Sequence, residues 1–275
     1  MAKPLSEEEM REVAKKLRRH IITMTARAGS GHPGGSLSSV EIVTALFFNV
    51  LHHDPKDPRW PERDRFVLSK GHAAPLLYAV LARAGYFDRE QIWRLRQIDS
   101  PMQGHPIQGV IPGVEATTGS LGQGLSLGIG HVLGGRLNNF NYRVYVLLGD
   151  GECEAGQIWE AAMAASHFKC DHLTAILDYN KYQETGSISR EMGLEPLVEK
   201  WQSFGWYVEE VEGHDVSAII TKLKVAKEIK GRPSILIAHT IKGKGVSFVE
   251  ADYRFHGRAL TPEQAEKARE EILCS

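Results

Sequence analysis

The stretch RVYVLLGDGECEAGQIWEAAMAASHFKCDHLTAILDYN, residues 143–180, decides how the chain folds. It opens on an unalternating apolar run, Arg143 to Leu148, and closes on a second, Leu173 to Leu177. Runs of that length without polar alternation suit strands buried on both faces of a parallel sheet. The residues between, Gln157 to Phe168, read as a helix, so the stretch is one strand–helix–strand unit. Each strand ends in ligand-type residues: Gly149-Asp150-Gly151 after the first and Asp178-Tyr179-Asn180 after the second.

The same alternation extends outward in both directions. Upstream, Arg65 to Ser69 reads as a short strand ending at Lys70-Gly71-His72, followed by a helix from Ala73 to Ala84. Downstream come a helix near Leu197 to Phe204, a strand near Tyr207 to Val211, a helix from Asp215 to Lys230 and a strand from Ser234 to His239. At the amino end, apolar residues at helical spacing run from Ser6 to Ala28, and Ser6 with Glu9 forms a capping box. GSGHPGG (residues 29–35) interrupts, and a second helix is expected from Leu37 to Val50. Ile98 to Gly119 is a long aperiodic loop, followed by a helix from Leu121 to Leu137. Lys242 to Gly257 is a glycine-rich loop whose KGKG start reads as mobile and solvated, with a phosphate contact as the lesser reading, and a last helix begins at Thr261-Pro262. The expected class is α/β: a three-layer, doubly wound domain with a mostly parallel sheet. We expect one domain over residues 1–275, with residues 1–60 as a helical extension.

Bulk properties narrow the function classes. With 275 residues and a net charge of −1, the chain has a sizeable core and no nucleic-acid or membrane-surface signature. No apolar run approaches the roughly 20 residues that span a bilayer. Cys153, Cys170 and Cys274 form no CxxC pair, which fits a reducing cytoplasm.

Ligands of open parallel sheets bind outside the carboxyl ends of the strands, so the residues there carry the functional reading. Gly149-Asp150-Gly151 lets backbone approach a ligand while a carboxylate points at it. The following helix start suits a phosphate, but Asp150 would repel one unless a cation stood between them. Magnesium takes oxygen ligands from one or two carboxylates plus phosphates. Asp150 can supply one oxygen, the Asn180 amide another and the Tyr182 carbonyl a third. GDG by itself is also an ordinary turn; the paired strand end at Asn180 makes the metal–diphosphate reading specific. Four of the twelve histidines, His32, His72, His105 and His256, adjoin glycines in expected loops. Imidazoles there can donate to phosphate or sugar oxygens and move protons. Gly119-Ser120-Leu121-Gly122-Gln123-Gly124 opens a helix and could cradle a phosphate or cover a flat ring. Gly128-Ile129-Gly130 with Gly134 imitates a dinucleotide fingerprint but follows no strand.

SGHPGG, DRFVLSKGHA, GHP, TTGSLGQG, GDGECEAGQ, DYNK and FHG stand in the order found in transketolases. The resemblance covers nearly the whole chain and is strongest to the separately encoded amino-terminal subunit of a split transketolase. It implies the thiamine diphosphate-binding fold and ketol transfer from a ketose phosphate to an aldose phosphate. It implies that Asp150, Asn180 and the Tyr182 carbonyl hold Mg²⁺, or Ca²⁺ or Mn²⁺ in its place. It implies that His72, Gly119, Ser120, Leu121, Gly151, Asn180 and His256 contact thiamine diphosphate. His32, His105 and His256 would meet the donor sugar, with His32 and His256 assisting proton transfer. Glu160 matches a family glutamate in an inter-site carboxylate network, whereas Ala155 stands where full-length members carry a glutamate. The resemblance also implies that the glutamate acting on the cofactor's aminopyrimidine ring belongs to a second domain. A partner subunit carrying it, in an α2β2 assembly, is therefore expected. The sugars are open: the pentose phosphate pathway or a specialised route. Alternatives are a deoxyxylulose-phosphate synthase-like or 2-oxo acid dehydrogenase α-like subunit, or a non-catalytic binding module of the same fold.

Overall fold

The computed structural model describes residues 4–274. The chain forms α1 (Glu7–Ala28), α2 (Pro33–Leu37), α3 (Val40–Ala45), β1 (Arg65–Leu68), α4 (Ala74–Ala84), α5 (Gln123–Leu137), β2 (Val144–Gly149) and α6 (Gly156–His167). It continues with β3 (Leu173–Tyr179), α7 (Ile188–Glu191), α8 (Leu197–Ser203), β4 (Tyr207–Glu212), α9 (Val216–Glu228), β5 (Ser234–His239) and α10 (Pro262–Cys274). The five strands pair in the order β1-β2-β3-β5-β4, and every pair is parallel.

The layers follow from connection handedness. Strand-to-strand crossovers in a parallel sheet are right-handed, so helices on steps in one direction share a face. From β1 through β3 to β4 the chain steps one way, and α5, α6 and α8 pack on one face through Leu125, Ile129, Ile158, Ala161 and Trp201. The step from β4 back to β5 reverses, and its helix α9 lies on the other face with α1, α3, α4 and α10. Successive residues of one strand serve opposite layers. Val144, Val146 and Leu148 face the first, Tyr145 and Leu147 the second. That double burial is why β2 reads as an unbroken apolar run.

Three boundaries differ from expectation. The helix expected over Leu37 to Val50 is instead α2, α3 and a π turn, Leu46–Val50. The break falls at Ser38 and Ser39, whose hydroxyls bond to Asp178 and Lys70 across the sheet edge. Helix α5 starts at Gln123 rather than Leu121, because Gly122 holds a left-handed φ of 87°. Asp178 and Tyr179 are the last residues of β3, not the loop after it, because their pairing with Ala238 and His239 of β5 continues the ladder.

Candidate active site

The carboxyl ends of β1, β2, β3 and β5 bring polar residues to one side of the sheet. Asp178 is the buried hub there. It accepts from Lys70 Nζ at 2.6 Å, Ser38 Oγ at 2.6 Å and Asn180 Nδ2 at 2.9 Å, and from the Thr240 hydroxyl. Burial alone would raise its pKa; the Lys70 ammonium and the surrounding donors hold it below the usual carboxylate range. Lys70 also donates to the Gly35 carbonyl at 2.7 Å and to Ser39 Oγ at 2.8 Å. The pair therefore ties the β1 and β3 ends to the α2–α3 segment.

Asp150 is different. Its Oδ1 accepts from the Gly151 N–H at 2.8 Å and its Oδ2 from the Lys181 N–H at 2.5 Å. Burial, and then the charge of Asp178, raise its pKa to about 7. The Asn180 Oδ1 accepts from the Tyr182 N–H at 3.1 Å, and the Tyr182 carbonyl accepts from Lys242 Nζ at 3.1 Å. Asp150, Asn180 and Tyr182 line one cleft of about 300 Å³ with Gly151, His72, Leu121 and His256. A carboxylate, an amide oxygen and a carbonyl in one cleft are a donor set for a hard divalent cation. Such an ion would also offset the cost of ionising a carboxylate buried this deeply.

Lys242 corrects the solvated reading of the KGKG segment. It is 1% exposed. The chain after β5 turns inward, with the Gly243 N–H on the Gly34 carbonyl at 3.1 Å. The Lys242 ammonium lies 2.6 Å from His256 Nδ1, and burial lowers its pKa to about 8. Lys70 in the cleft wall and Lys242 against its lining residues Tyr182 and His256 thus bring two positive charges to the cleft, as a diphosphate would require.

All four glycine-flanked histidines come together. Ring centroids are 5.3 Å apart for His32–His72, 5.6 Å for His32–His256 and 4.9 Å for His72–His256, with His105 6.4 Å from His32. Burial first, then the neighbouring cations, lower His32 to about 4 and His256 to about 3. His72 falls well below its ordinary value and His105 is also lowered, both chiefly through burial. The cluster is therefore neutral at pH 7 and can both donate and accept hydrogen bonds. Arg96 approaches His32 Nδ1 at 3.4 Å and donates to Ser30 Oγ at 2.8 Å, which fixes one side of the ring.

The 119–121 segment is brought in by glycine. A Cβ on Gly71 would sit 2.6 Å from the Thr118 carbonyl carbon, so only glycine lets the Lys70–His72 turn meet this loop. Gly119 has φ 151° and passes against the His105 ring, and Leu121 lines the cleft. Ser120 is exposed and is not among the cleft's lining residues. Glu160 is exposed on α6, and Ala155 immediately precedes that helix.

Glu152, Arg96 and Glu184 escaped the sequence reading, Lys70 and Asp178 were placed at strand ends without a role, and Lys242 was read as part of a solvated loop. Glu152 accepts from the Gly122 N–H at 2.8 Å and the Gly149 N–H at 3.1 Å, holding two glycine loops together. The available signal was position, since Lys70 and Lys242 follow strands closely. Arg96 had none, because a left-handed φ of 57° aims it back at His32.

Comparison with known proteins settles the family. Residues 9–273 match the family model described as transketolase, thiamine diphosphate binding domain. The chain belongs to the transketolase family. It is 42% identical over 264 residues to a 6-deoxy-6-sulfo-D-fructose transketolase subunit of Clostridium sp. (strain MSTE9), covering 96% of each chain. It is 40% identical to an apulose-4-phosphate transketolase subunit of Phocaeicola vulgatus, covering 94% of this chain and 92% of that one. Human transketolase is 40% identical, with 96% of this chain matching 42% of that longer protein. The structure of Campylobacter jejuni transketolase superposes with a TM-score of 0.92 at 32% identity, over 98% of this chain and 43% of that one. The chain thus matches separately encoded transketolase subunits over nearly their whole length and full-length members over less than half of theirs. Thiamine diphosphate binding is the property of the matched domain.

Proposed function

We propose that this chain is the amino-terminal subunit of a split transketolase, transferring a two-carbon ketol unit between sugar phosphates. The carrying observation is the convergence of Asp150, Asn180, the Tyr182 carbonyl and four neutral histidines on one sheet edge. In this reading Asp150, Asn180 and Tyr182 hold Mg²⁺, and Lys70, Lys242, His72 and the Gly151 N–H face the diphosphate. Gly119, Ser120 and Leu121 cover the cofactor by backbone and side-chain contact. Thiamine diphosphate bound there supplies the electron sink for the two-carbon fragment.

His32, His105 and His256 would grip the donor's hydroxyl and carbonyl oxygens. Imidazoles held neutral can take a hydroxyl proton or donate to an oxygen without a charged ground state. Cations nearby make protonated histidine unfavourable, so these rings return protons rather than keep them. The alternative classes explain this cluster less well: a 2-oxo acid offers fewer hydroxyls to meet, and a non-catalytic module has no use for it.

The partner is proposed to carry the pyrimidine-binding half, in an α2β2 assembly. Leu121 at the cleft, Leu127 on α5 and Met163 on α6 are exposed large apolar groups that a partner would cover. The three cysteines are free, which supports a reducing, cytoplasmic setting. We read the chain as one domain whose first 60 residues add helices to the layer containing α4 and α9. Among the described residues no helix is long and apolar enough to cross a membrane.

The test is a ketol-transfer assay on the purified chain mixed with its partner. Activity is expected only from the mixture, with thiamine diphosphate and Mg²⁺ present. Full activity from this chain alone, or none from any mixture with a partner that completes the cofactor site, would contradict it.

A further inference from the structure

A second cleft lies between α1, the end of α4 and the 3₁₀ turn Arg89–Arg94. It holds about 460 Å³ and is lined by Lys16, Arg19, His20, Arg83, Arg89 and Trp93, with Thr23 and Glu90 completing the wall. Lys16, Arg19 or His20, and Thr23 recur at helical spacing, so α1 presents them on one face. None of the residues lining this cleft belongs to the active site described above.

Three features separate it from an ordinary solvated surface. First, Lys16, Arg19, Arg83 and Arg89 form no ion pair among the described residues. Arginines without an ion pair, such as Arg27, Arg94 and Arg232, occur elsewhere among the described residues, but here four unpaired cations line one cleft. The one carboxylate in the wall, Glu90, accepts from Trp93 Nε1 at 3.1 Å instead. Second, His20 stands among these cations with a buried Nδ1 that has no hydrogen-bond partner. That atom is sealed from solvent, so His20 contributes a fixed wall to the cleft rather than a ligand contact through Nδ1. Burial and the charges of Arg89, Arg83 and Arg19 push His20 down to about 4, an electrostatic sign that the guanidiniums converge. Third, one side is a rigid aromatic wall. Trp93 packs edge-on to His20 at 5.4 Å, and Arg27 lies over its ring at 5.0 Å. Neutral overall charge makes this local excess of cations more telling, because it is compensated elsewhere in the molecule.

We propose that this cleft binds a small phosphate-bearing ligand, at a site separate from the thiamine diphosphate cleft. Guanidiniums present forked donors that match phosphate oxygens, and Arg19, Arg83 and Arg89 approach from three different elements. The volume suits a small metabolite. This goes beyond the transketolase reading and does not depend on it.

Inorganic phosphate is the probe. Calorimetric titration of the full chain at constant ionic strength, with chloride as the balancing ion, reads the affinity. The R83Q/R89Q double variant is expected to weaken phosphate binding about tenfold or more. K242Q, in the thiamine diphosphate cleft, is expected to leave that binding component unchanged. R19Q provides a second, independent readout from α1. Equal phosphate affinity in wild type, R83Q/R89Q and R19Q would overturn the proposal. Loss of all phosphate binding in K242Q alone would also overturn it.

Discussion

Asp150 and His32 carry opposite demands at the residue scale. Asp150 must ionise where burial and Asp178 resist it, so the charge has to come from a cation. His32 must stay neutral, and burial with Arg96 nearby enforces that. The account therefore separates their effects. His32→Ala is expected to leave cofactor affinity unchanged and to slow turnover of the reconstituted enzyme by about a hundredfold, the range for loss of one proton-transferring group. Steady-state kinetics beside a cofactor titration checks this, and a normal rate would remove His32 from the chemistry. Asp150, Asn180 and the four histidines were legible in the sequence because each adjoins a glycine or a strand end. Lys242 was not, because nothing local distinguishes a buried lysine from a solvated one. Its burial comes from Gly243 docking on Gly34, a contact between residues about two hundred positions apart in sequence.

At the element scale, two contacts set how helices meet the sheet. A Cβ on Gly124 would lie 2.3 Å from Ser69 Oγ and 2.7 Å from the Ser69 backbone, and one on Gly128 would lie 2.5 Å from Val146. These glycines let α5 lie close on β1 and β2, which accounts for Gly128 in the pattern that imitates a dinucleotide fingerprint, whereas Gly130 and Gly134 meet open space. Gly124→Ala is expected to destabilise the chain by about 2 kcal/mol, the usual cost of overpacking a site that cannot yield. Urea unfolding measures it, and an unchanged midpoint would contradict the close approach. Arg18 on α1 holds Glu41 on α3 through two hydrogen bonds of 2.6 and 2.8 Å. Burial would raise Glu41, but Arg18 and His214 win and lower it to about 2. Because the folded value lies below the unfolded one, this stability is complete above about pH 4.5 and drains as pH falls toward 2. The shift corresponds to about 3 kcal/mol as an order of magnitude. Unfolding of wild type and Glu41→Gln across that window should show the gap between them shrinking as pH falls. A constant gap would mean Glu41 is not ionised in the fold. Strands and long helices were legible from periodicity, while the division of residues 37–50 was not. Ser39 leaves helical geometry beside Ser38, and their hydroxyls serve Lys70 and Asp178, partners that no local pattern reveals.

On the scale of the whole molecule, the parallel sheet explains why one chain can anchor a cofactor. All five strands end on one side, and the ends of β1, β2, β3 and β5 supply a metal-donor set, two lysines and a path to the histidines. The layer order was legible because unbroken apolar runs require cover on both faces. The strand order was not, since it depends on where the chain reverses between β4 and β5. The central claim is that Asp150, with Asn180 and Tyr182, anchors the cofactor's diphosphate through a divalent metal. The most direct test is calorimetric titration of thiamine diphosphate into the wild-type chain and Asp150→Asn, each with Mg²⁺ and with a chelator. The account predicts Mg²⁺-dependent binding in wild type, and in the variant an affinity at least about tenfold weaker that Mg²⁺ no longer improves. Equal affinity in the two chains, or binding indifferent to Mg²⁺, would contradict it.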